Sequence, residues 1–393
     1  MTPPKEKLWS FEDLEHALKT HYETPDIARV RAAYEYAKEA HGDKKRYTGA
    51  PYIIHPIATA VRLAEMSLPI EVVIAGLLHD VPEDTSRTLA DVRDAFGADV
   101  ATLVAGVTKL GKVKYRGIER YAENLRKMFL AMASDVRVVF IKFCDRLHNV
   151  ETLFAMPEAK RMRVAKEVLE IYAPIAGRLG MGDMKGKLED NAFRYTSPED
   201  YQKAKKLFKE QVSARKTDLE NTIHETENKM KQAHIPVVTI TGRKKFLYSF
   251  WKKLERYHGD ISRVYDLIAI RLIVDSIADC YAALGVLHSH WTPLKGRIKD
   301  YISQPKPNGY QSLHTTVFDE RCGIIEFQIR TQSMHEEAEF GVAAHWHYKQ
   351  TGDERPRPMI PWMQDLVNLH KEISTGKDFM KHLDEVKLDM FQD

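Results

Sequence analysis

Histidine and carboxylate residues recur along the first half of this chain at places suited to holding a divalent cation. His55 opens a helical pattern with Pro56 in its first turn, His79-Asp80 lies within the apolar run Val72 to Val81, and Asp145 lies in the run Val138 to Leu153. Two imidazoles and two carboxylates from three helices make a mixed N/O donor set of the kind that takes Mn²⁺, Fe²⁺ or Zn²⁺. His55 and Asp145, taken singly, read better as caps or buried hydrogen-bond partners than as ligands. The adjacent pair is more telling: Leu77 and Leu78 imply burial, and an imidazole and a carboxylate buried without a cation or a network cost several kcal/mol. Glu83-Asp84 follows by one turn, near enough to orient or deprotonate a metal-bound water. Pro82 is expected to bend or end the helix just before them. On the third helix Lys142, Asp145, Asn149 and Thr152 fall at offsets 0, +3, +7 and +10. At about 100° per residue all four share one face, as a site or as a solvated stripe.

A second constellation sits on strand-like segments. In Ile324 to Thr331, Glu326, Gln328 and Arg330 alternate with Ile325, Phe327 and Ile329, as in a strand with two unlike faces. Asp266 opens the apolar strand Leu267 to Val274, either as a second carboxylate or as a strand-end cap. Two such carboxylates are a common way to hold Mg²⁺ against a triphosphate. Gly242-Arg243-Lys244-Lys245 is read as a junction between a strand and a helix carrying Ser249, Lys252 and Lys253, where cations suit phosphate oxygens unless they are merely solvated. Walker A spacing is absent, so side chains must grip the phosphates. Pro307-Asn308-Gly309-Tyr310 is a turn that presents Tyr310 to stack on a base, or to pack over its own turn.

The elements that must position these residues change character along the chain. Residues 11–193 read as successive amphipathic helices with short breakers such as Gly49-Ala50-Pro51. The Lys- and Glu-rich stretch 201–234 reads as long solvated helices bridging two domains, with a boundary near 195–230. Beyond Pro236 strand alternation at 237–240, 266–274, 313–318 and 324–331 mixes with helices at 248–257, 277–290 and 334–348. The expected division is 1–195 all-α, 196–234 helical linker, 235–350 α/β, and 351–393 connector and helical tail.

At 393 residues two to three domains are expected. A net charge of +3 is too balanced for non-specific nucleic-acid binding, so no direct DNA binding is expected. Cys144, Cys280 and Cys322 have no metal or disulfide spacing, which fits a reducing compartment. The first residues lack the apolar core of a signal peptide, and no stretch approaches a membrane span, so a cytoplasmic location without membrane contact is expected.

The ordered set His55, His79-Asp80 with Glu83-Asp84-Thr85, and Lys142-x-x-Asp145-Arg146-Leu147-His148-Asn149 resembles the HD phosphohydrolase domain of Rel/SpoT-type alarmone enzymes. Gly49-x-Pro51-Tyr52-Ile53-Ile54-His55-Pro56 and Ala122-Glu123-Asn124-Leu125-Arg126-Lys127-Met128 belong to the same likeness. It implies Mn²⁺ on His55, His79, Asp80 and Asp145, water activation by Glu83-Asp84, and a guanosine nucleotide held by Arg46, Asn149 and Thr152, with Lys142 beside them. Tyr47, Pro82 and Gly177 depart from the usual residues of that family.

The second half resembles the synthetase domain of the same family through Gly242-Arg243-x-Lys245-x-x-Tyr248-Ser249, Asp266 to Arg271, Lys306 to His314, Glu326-x-Gln328-Ile329-Arg330-Thr331 and Gly341 to Trp346. That implies a mixed-sheet nucleotidyltransferase-like fold that transfers pyrophosphate from ATP to the 3′-OH of GDP or GTP. It further implies Mg²⁺ on Asp266 and Glu326, with Glu326 helping to deprotonate the hydroxyl, and Tyr310 stacked on guanine. Arg243, Lys245, Lys253 and Lys299 would contact adenine or phosphates, with Ser249, Asn308, His314 and Gln328 nearby. Arg297-Ile298-Lys299-Asp300 looks like the basic motif form of members that keep both activities. Longer members continue into regulatory domains that contact the ribosome, so ribosome contact is expected only for such a longer form. The expectation is a bifunctional (p)ppGpp synthetase and hydrolase. The alternatives are a hydrolase with a nucleotide-sensing second half, or two binding modules.

Overall fold

The computed structural model describes residues 6–111, 128, 130–131, 134–214, 216–264, 267–321 and 323–344. Asp266, Cys322, most of the Ala122–Met128 motif, His345-Trp346 and the expected tail lie outside these residues. The chain divides into two compact units, Met1–Tyr172 with Ala343–Asp393, and Ala173–Val342. The division falls earlier in the chain than the boundary expected near 195–230.

The first unit is helical, with a single isolated β-bridge, Lys45 to Pro51, among its described residues. Its middle is formed by helices with little solvent face. Every residue from Ile54 to Ala64 in the Ile54–Glu65 helix is buried, as is every residue from Val72 to Leu78 in the Ile70–Leu78 helix. The Arg137–Glu151 helix buries Val138 to Asp145 without interruption. A helix apolar on all sides must be surrounded by others, and outer helices such as Phe11–His21, Ile27–His41 and Ala98–Gly111 do so here. The first two central helices pack closely at Gly76, where a Cβ would come 2.4 Å from Leu63 Cδ1. Outer helices carry their own start signals: Ser10 with Asp13 and Thr88 with Asp91 form capping boxes.

The second unit has a mixed six-stranded sheet in the order β1-β2-β6-β5-β3, with β4 paired to β5. The strands are β1 (Val237–Lys244), β2 (Ile268–Val274), β3 (Thr292–Pro293), β4 (Lys299–Asp300), β5 (Leu313–Asp319) and β6 (Gly323–Thr331). β2 and β6 run parallel, joined in register from Ala269↔Glu326 to Val274↔Thr331, and the other pairs are antiparallel. The Ile277–His290 helix packs on the sheet through Cys280, Ala283 and Leu287.

Two expectations need correction here. The Lys- and Glu-rich stretch is not a solvated bridge: the Pro198–Ala214 helix buries Tyr201 and Ala204 against Phe193, Phe250 and Leu254, and the Lys216–Gln232 helix packs Leu219, Ile223 and Met230 on the sheet. Its apolar residues are few but share one stripe with the buried Thr222 and Thr226, which the high charge content hides. Gly242-Arg243-Lys244 is not a strand-to-helix junction either. It is the end of β1, paired with Ile270, Ala269 and Ile268.

The junction follows at Phe246, which gives the Leu247–Arg256 helix no side-chain cap. Asp190, from the Gly182–Thr196 helix, supplies one instead: its carboxylate accepts from the backbone N–H groups of Leu247 at 3.0 Å and Tyr248 at 2.8 Å. Asp190→Ala is therefore expected to destabilise the second unit by about 1–2 kcal/mol, the usual cost of an N-cap. Chemical denaturation of wild type and variant measures it, and a loss below about 0.3 kcal/mol would show that the cap is idle.

Candidate functional site

In the first unit the Ile70–Leu78 helix stops before His79, and a short helix, Val81–Asp84, begins after Asp80. Pro82 occupies the first turn of the new helix, where a missing N–H is tolerated. The break falls where the proline predicted it and turns His79-Asp80 towards His55. His55 Nε2 lies 3.5 Å from Asp80 Oδ2 and 3.3 Å from Asp145 Oδ1, and His79 Nε2 lies 3.3 Å from Asp80 Oδ1. Ligand atoms of His55, His79 and Asp80 all fall within 4.8 Å of one another, so these residues could hold a metal ion.

Two further features suit such an ion. The His79 Nδ1–H donates to the Gly76 carbonyl at 2.7 Å, which leaves the Nε2 lone pair facing the carboxylates; that Nε2 is buried and has no hydrogen-bond partner among the described residues. An orphaned buried nitrogen is costly unless something binds it. Burial, helped by the Arg46 charge, pushes His55 down to about 4, so its imidazole is neutral and its lone pair is available at neutral pH. Burial opposes ionisation of Asp145, but Lys142 at 2.7 Å, together with His55 and Arg146, holds its carboxyl well below the usual range. Burial opposes ionisation of Asp80 in the same way, and His79 and His55 outweigh it. Neutral imidazoles beside ionised carboxylates are the forms that ligate divalent metals.

The remaining residues separate. Arg46 donates to Asn149 Oδ1 at 3.0 Å and Thr152 Oγ1 at 3.2 Å, so these three come together at the end of the Arg137–Glu151 helix. Lys142, expected on that stripe near a nucleotide, is buried and paired with Asp145. Glu83 and Asp84 are exposed, with Asp84 Oδ2 3.1 Å from Lys44 Nζ. Sequence reasoning gave no role to Tyr52, whose hydroxyl lies 2.8 Å from Asp80 Oδ2 and 2.6 Å from Asp84 Oδ2. It likewise missed His148, 2.9 Å from His55 Nδ1 through its own Nδ1. Both stand in the motifs that carry His55 and Asp145, but only the fold brings them onto Asp80 and His55.

In the second unit β6 presents Glu326, Gln328 and Arg330 on one face, and the register sets Arg271 and His314 beside Gln328. Glu326 Oε1 is 2.9 Å from His314 Nδ1, and His314 Nε2 is 2.8 Å from the Tyr310 hydroxyl. Arg243 donates to Gln328 Oε1 at 3.1 Å, and Gln328 donates to Glu326 Oε2 at 3.3 Å. Lys253, Tyr257, Arg263, Arg297, Lys299, His314, Thr316 and Glu326 line one cavity. Four cations around one carboxylate suit a polyanion accompanied by a divalent ion. Asn308 is engaged with backbone, its amide on the Gly177 carbonyl at 3.2 Å and its oxygen on the Tyr310 N–H at 3.2 Å. Lys245 lies just past β1, and Ser249 lies in the first turn of the Leu247–Arg256 helix; both are half-buried. Also unforeseen is a carboxylate shared by two cations: Glu339 Oε1 is 2.7 Å from Arg271 and 3.2 Å from the buried Arg330.

Residues 33–182 match the family model described as an HD domain, and residues 242–353 match the region found in RelA / SpoT proteins. The chain is 44% identical over 373 residues to the guanosine-3′,5′-bis(diphosphate) 3′-pyrophosphohydrolase of Aquifex aeolicus, covering 95% of this chain and 53% of that protein. It is 42% identical over 394 residues to the bifunctional (p)ppGpp synthase/hydrolase SpoT of Escherichia coli, covering 98% of this chain and 55% of that protein. To the GTP pyrophosphokinase of Streptomyces coelicolor it is 42% identical over 379 residues, covering 92% of this chain and 44% of that protein. The chain thus spans about half the length of the curated relatives it matches. Both matched regions are present in order, and with this identity along nearly the whole sequence the chain belongs to the RelA/SpoT family, of which it holds the HD and the RelA/SpoT regions.

Proposed function

We propose that the chain is a bifunctional alarmone enzyme that makes (p)ppGpp from ATP and GDP or GTP in its second unit and hydrolyses (p)ppGpp in its first. The observation that supports this most is the cluster of buried His55, His79 and Asp145 with half-buried Asp80, in which the His79 Nε2 lone pair is orphaned. It accompanies a second, separate carboxylate-and-cation cavity around Glu326. One centre suits a metal-assisted hydrolysis and the other a transfer between nucleotides. No helix among the described residues is long and apolar enough to cross a membrane.

For hydrolysis, His55, His79, Asp80 and Asp145 would hold Mn²⁺, which when bound supplies charge for the 3′-diphosphate and acidifies a water. Arg46, Asn149 and Thr152 hold the guanosine end. Glu83 and Asp84 take the proton as water attacks phosphorus, and the ribose 3′-oxygen leaves, giving GDP or GTP and pyrophosphate. For synthesis, Asp266 and Glu326 would hold Mg²⁺, which would supply positive charge for the transferring phosphates. Lys253, Arg263, Arg297 and Lys299 offset the triphosphate charge; Glu326 takes the proton of the acceptor 3′-OH as the 3′-oxygen attacks the β-phosphorus of ATP, and AMP leaves from that phosphorus. Tyr310 stacks on the acceptor base, its ring held edge-on by Tyr301 at 6.0 Å and His314 at 5.7 Å.

Chemistry lost at one centre should spare the other. Asp145→Ala is expected to abolish Mn²⁺-dependent release of pyrophosphate from labelled ppGpp and to keep synthesis from ATP and GDP. Glu326→Gln should do the reverse. Loss of both activities from either substitution in a folded protein argues against two independent centres.

Stacking on an aromatic face contributes about 1–3 kcal/mol, so Tyr310→Ala should raise KM for GDP at least about fivefold and KM for ATP far less. Tyr310→Phe keeps the ring face and should change KM for GDP by less than about threefold. Steady-state kinetics with each substrate varied in turn separates these outcomes, and equal losses for both nucleotides would mark Tyr310 as purely structural.

A further inference from the structure

The Tyr52 hydroxyl stands between the two carboxylates that the hydrolytic reading uses differently, 2.8 Å from Asp80 on the metal side and 2.6 Å from Asp84 on the water side. The ring cannot drift far. It stacks on the buried His41 with centroids 4.5 Å apart and 30° between planes, and Lys44 Nζ lies 4.7 Å over the ring. Lys44 also reaches Asp84 Oδ2 at 3.1 Å and its carbonyl at 3.4 Å. Asp84 itself is exposed, on a four-residue helix that cannot fix a side chain alone.

From this geometry we infer that Tyr52 is a positioning residue for hydrolysis, holding Asp84 at a fixed distance from the metal-binding carboxylate Asp80. The inference rests on the hydrolytic reading above. A phenol has one proton for two acceptors. When a cation takes up the charge of Asp80, that proton belongs to Asp84, whose free oxygen then faces the water to be activated. Without the hydroxyl, Asp84 keeps its contact with Lys44 among the described residues and samples positions from which it cannot reach the water.

Tyr52→Phe keeps the ring and its stacking, and the test compares it with wild type and with Tyr22→Phe. The latter loses a buried hydroxyl hydrogen bond, to the Leu68 carbonyl, away from the site. Orienting groups next to metal ligands are typically worth about 10–100-fold. For Tyr52→Phe the kcat for ppGpp hydrolysis should fall by about that factor, with KM within about twofold. Mn²⁺ affinity, followed by electron paramagnetic resonance of the free ion, should change less than about threefold, since all four proposed ligands remain. Thermal unfolding and ppGpp synthesis should match wild type, and Tyr22→Phe should keep its kcat. The inference is overturned if kcat of Tyr52→Phe stays within twofold of wild type, if excess Mn²⁺ restores it, or if synthesis and melting temperature fall with it. Absence of hydrolysis in the wild type itself would overturn the hydrolytic reading along with the inference.

Discussion

An imidazole removed from water must find partners within the protein, and His55 meets this constraint at the centre of the first unit. At 2% exposure its ring lies between Asp80 and Asp145 on one nitrogen and against His148 on the other. The Ile54–Glu65 helix that carries it is buried over two turns and more, so it has no freedom to rotate the ring elsewhere without repacking a dense core. Asp80 and Asp145 are brought to it by two other buried helices. The rest of the unit follows from enclosing those three segments: the outer helices shield them, and Lys142 and Arg146 supply the positive charge that keeps Asp145 ionised in that enclosure.

The second unit meets a related demand with a sheet. Pairing of β6 with β2 on one side and β5 on the other fixes Glu326, Gln328, Arg271 and His314 on one face, each direction set by backbone hydrogen bonds. Polar groups on this face meet at close range: Glu326 is 2.9 Å from His314 Nδ1, and Glu339 pairs with both Arg271 and Arg330. Burial pushes Arg330 down to about 10, a measure of how much enclosure that guanidinium bears. Backbone pairing on both sides of β6 leaves these side chains little freedom to change their mutual arrangement.

Much of this was legible in the sequence because residue type and period carried it. His79-Asp80 between apolar residues announced a pair drawn in from solvent, of which His79 is buried and Asp80 half-buried, Pro82 announced the break at that pair, and the alternation 324–331 announced β6 with its polar face. What was not legible depended on distant partners. Nothing local says that the charged stretch 201–234 hides a stripe of Leu219, Ile223 and Met230 for the sheet, or that Arg243 continues β1 instead of turning into a helix. The Tyr52 and His148 contacts with the ligands are likewise made across separations of 28 and 93 residues. Lys142 shows the converse: its helical face was read correctly, yet its partner is its own neighbour Asp145.

The cap on the Leu247–Arg256 helix has a consequence for the order in which the chain can assemble. Ser10 with Asp13 and Thr88 with Asp91 close within three residues, so those helices can stiffen while the rest of the chain is still loose. The helix carrying Lys253 takes its cap from Asp190, 57 residues earlier in the chain. Closing so long a loop is entropically costly before other contacts reward it. Lys253, which lines the cavity around Glu326, therefore sits on a helix whose start is fixed by a long-range contact, whereas the Ser10 and Thr88 caps are local.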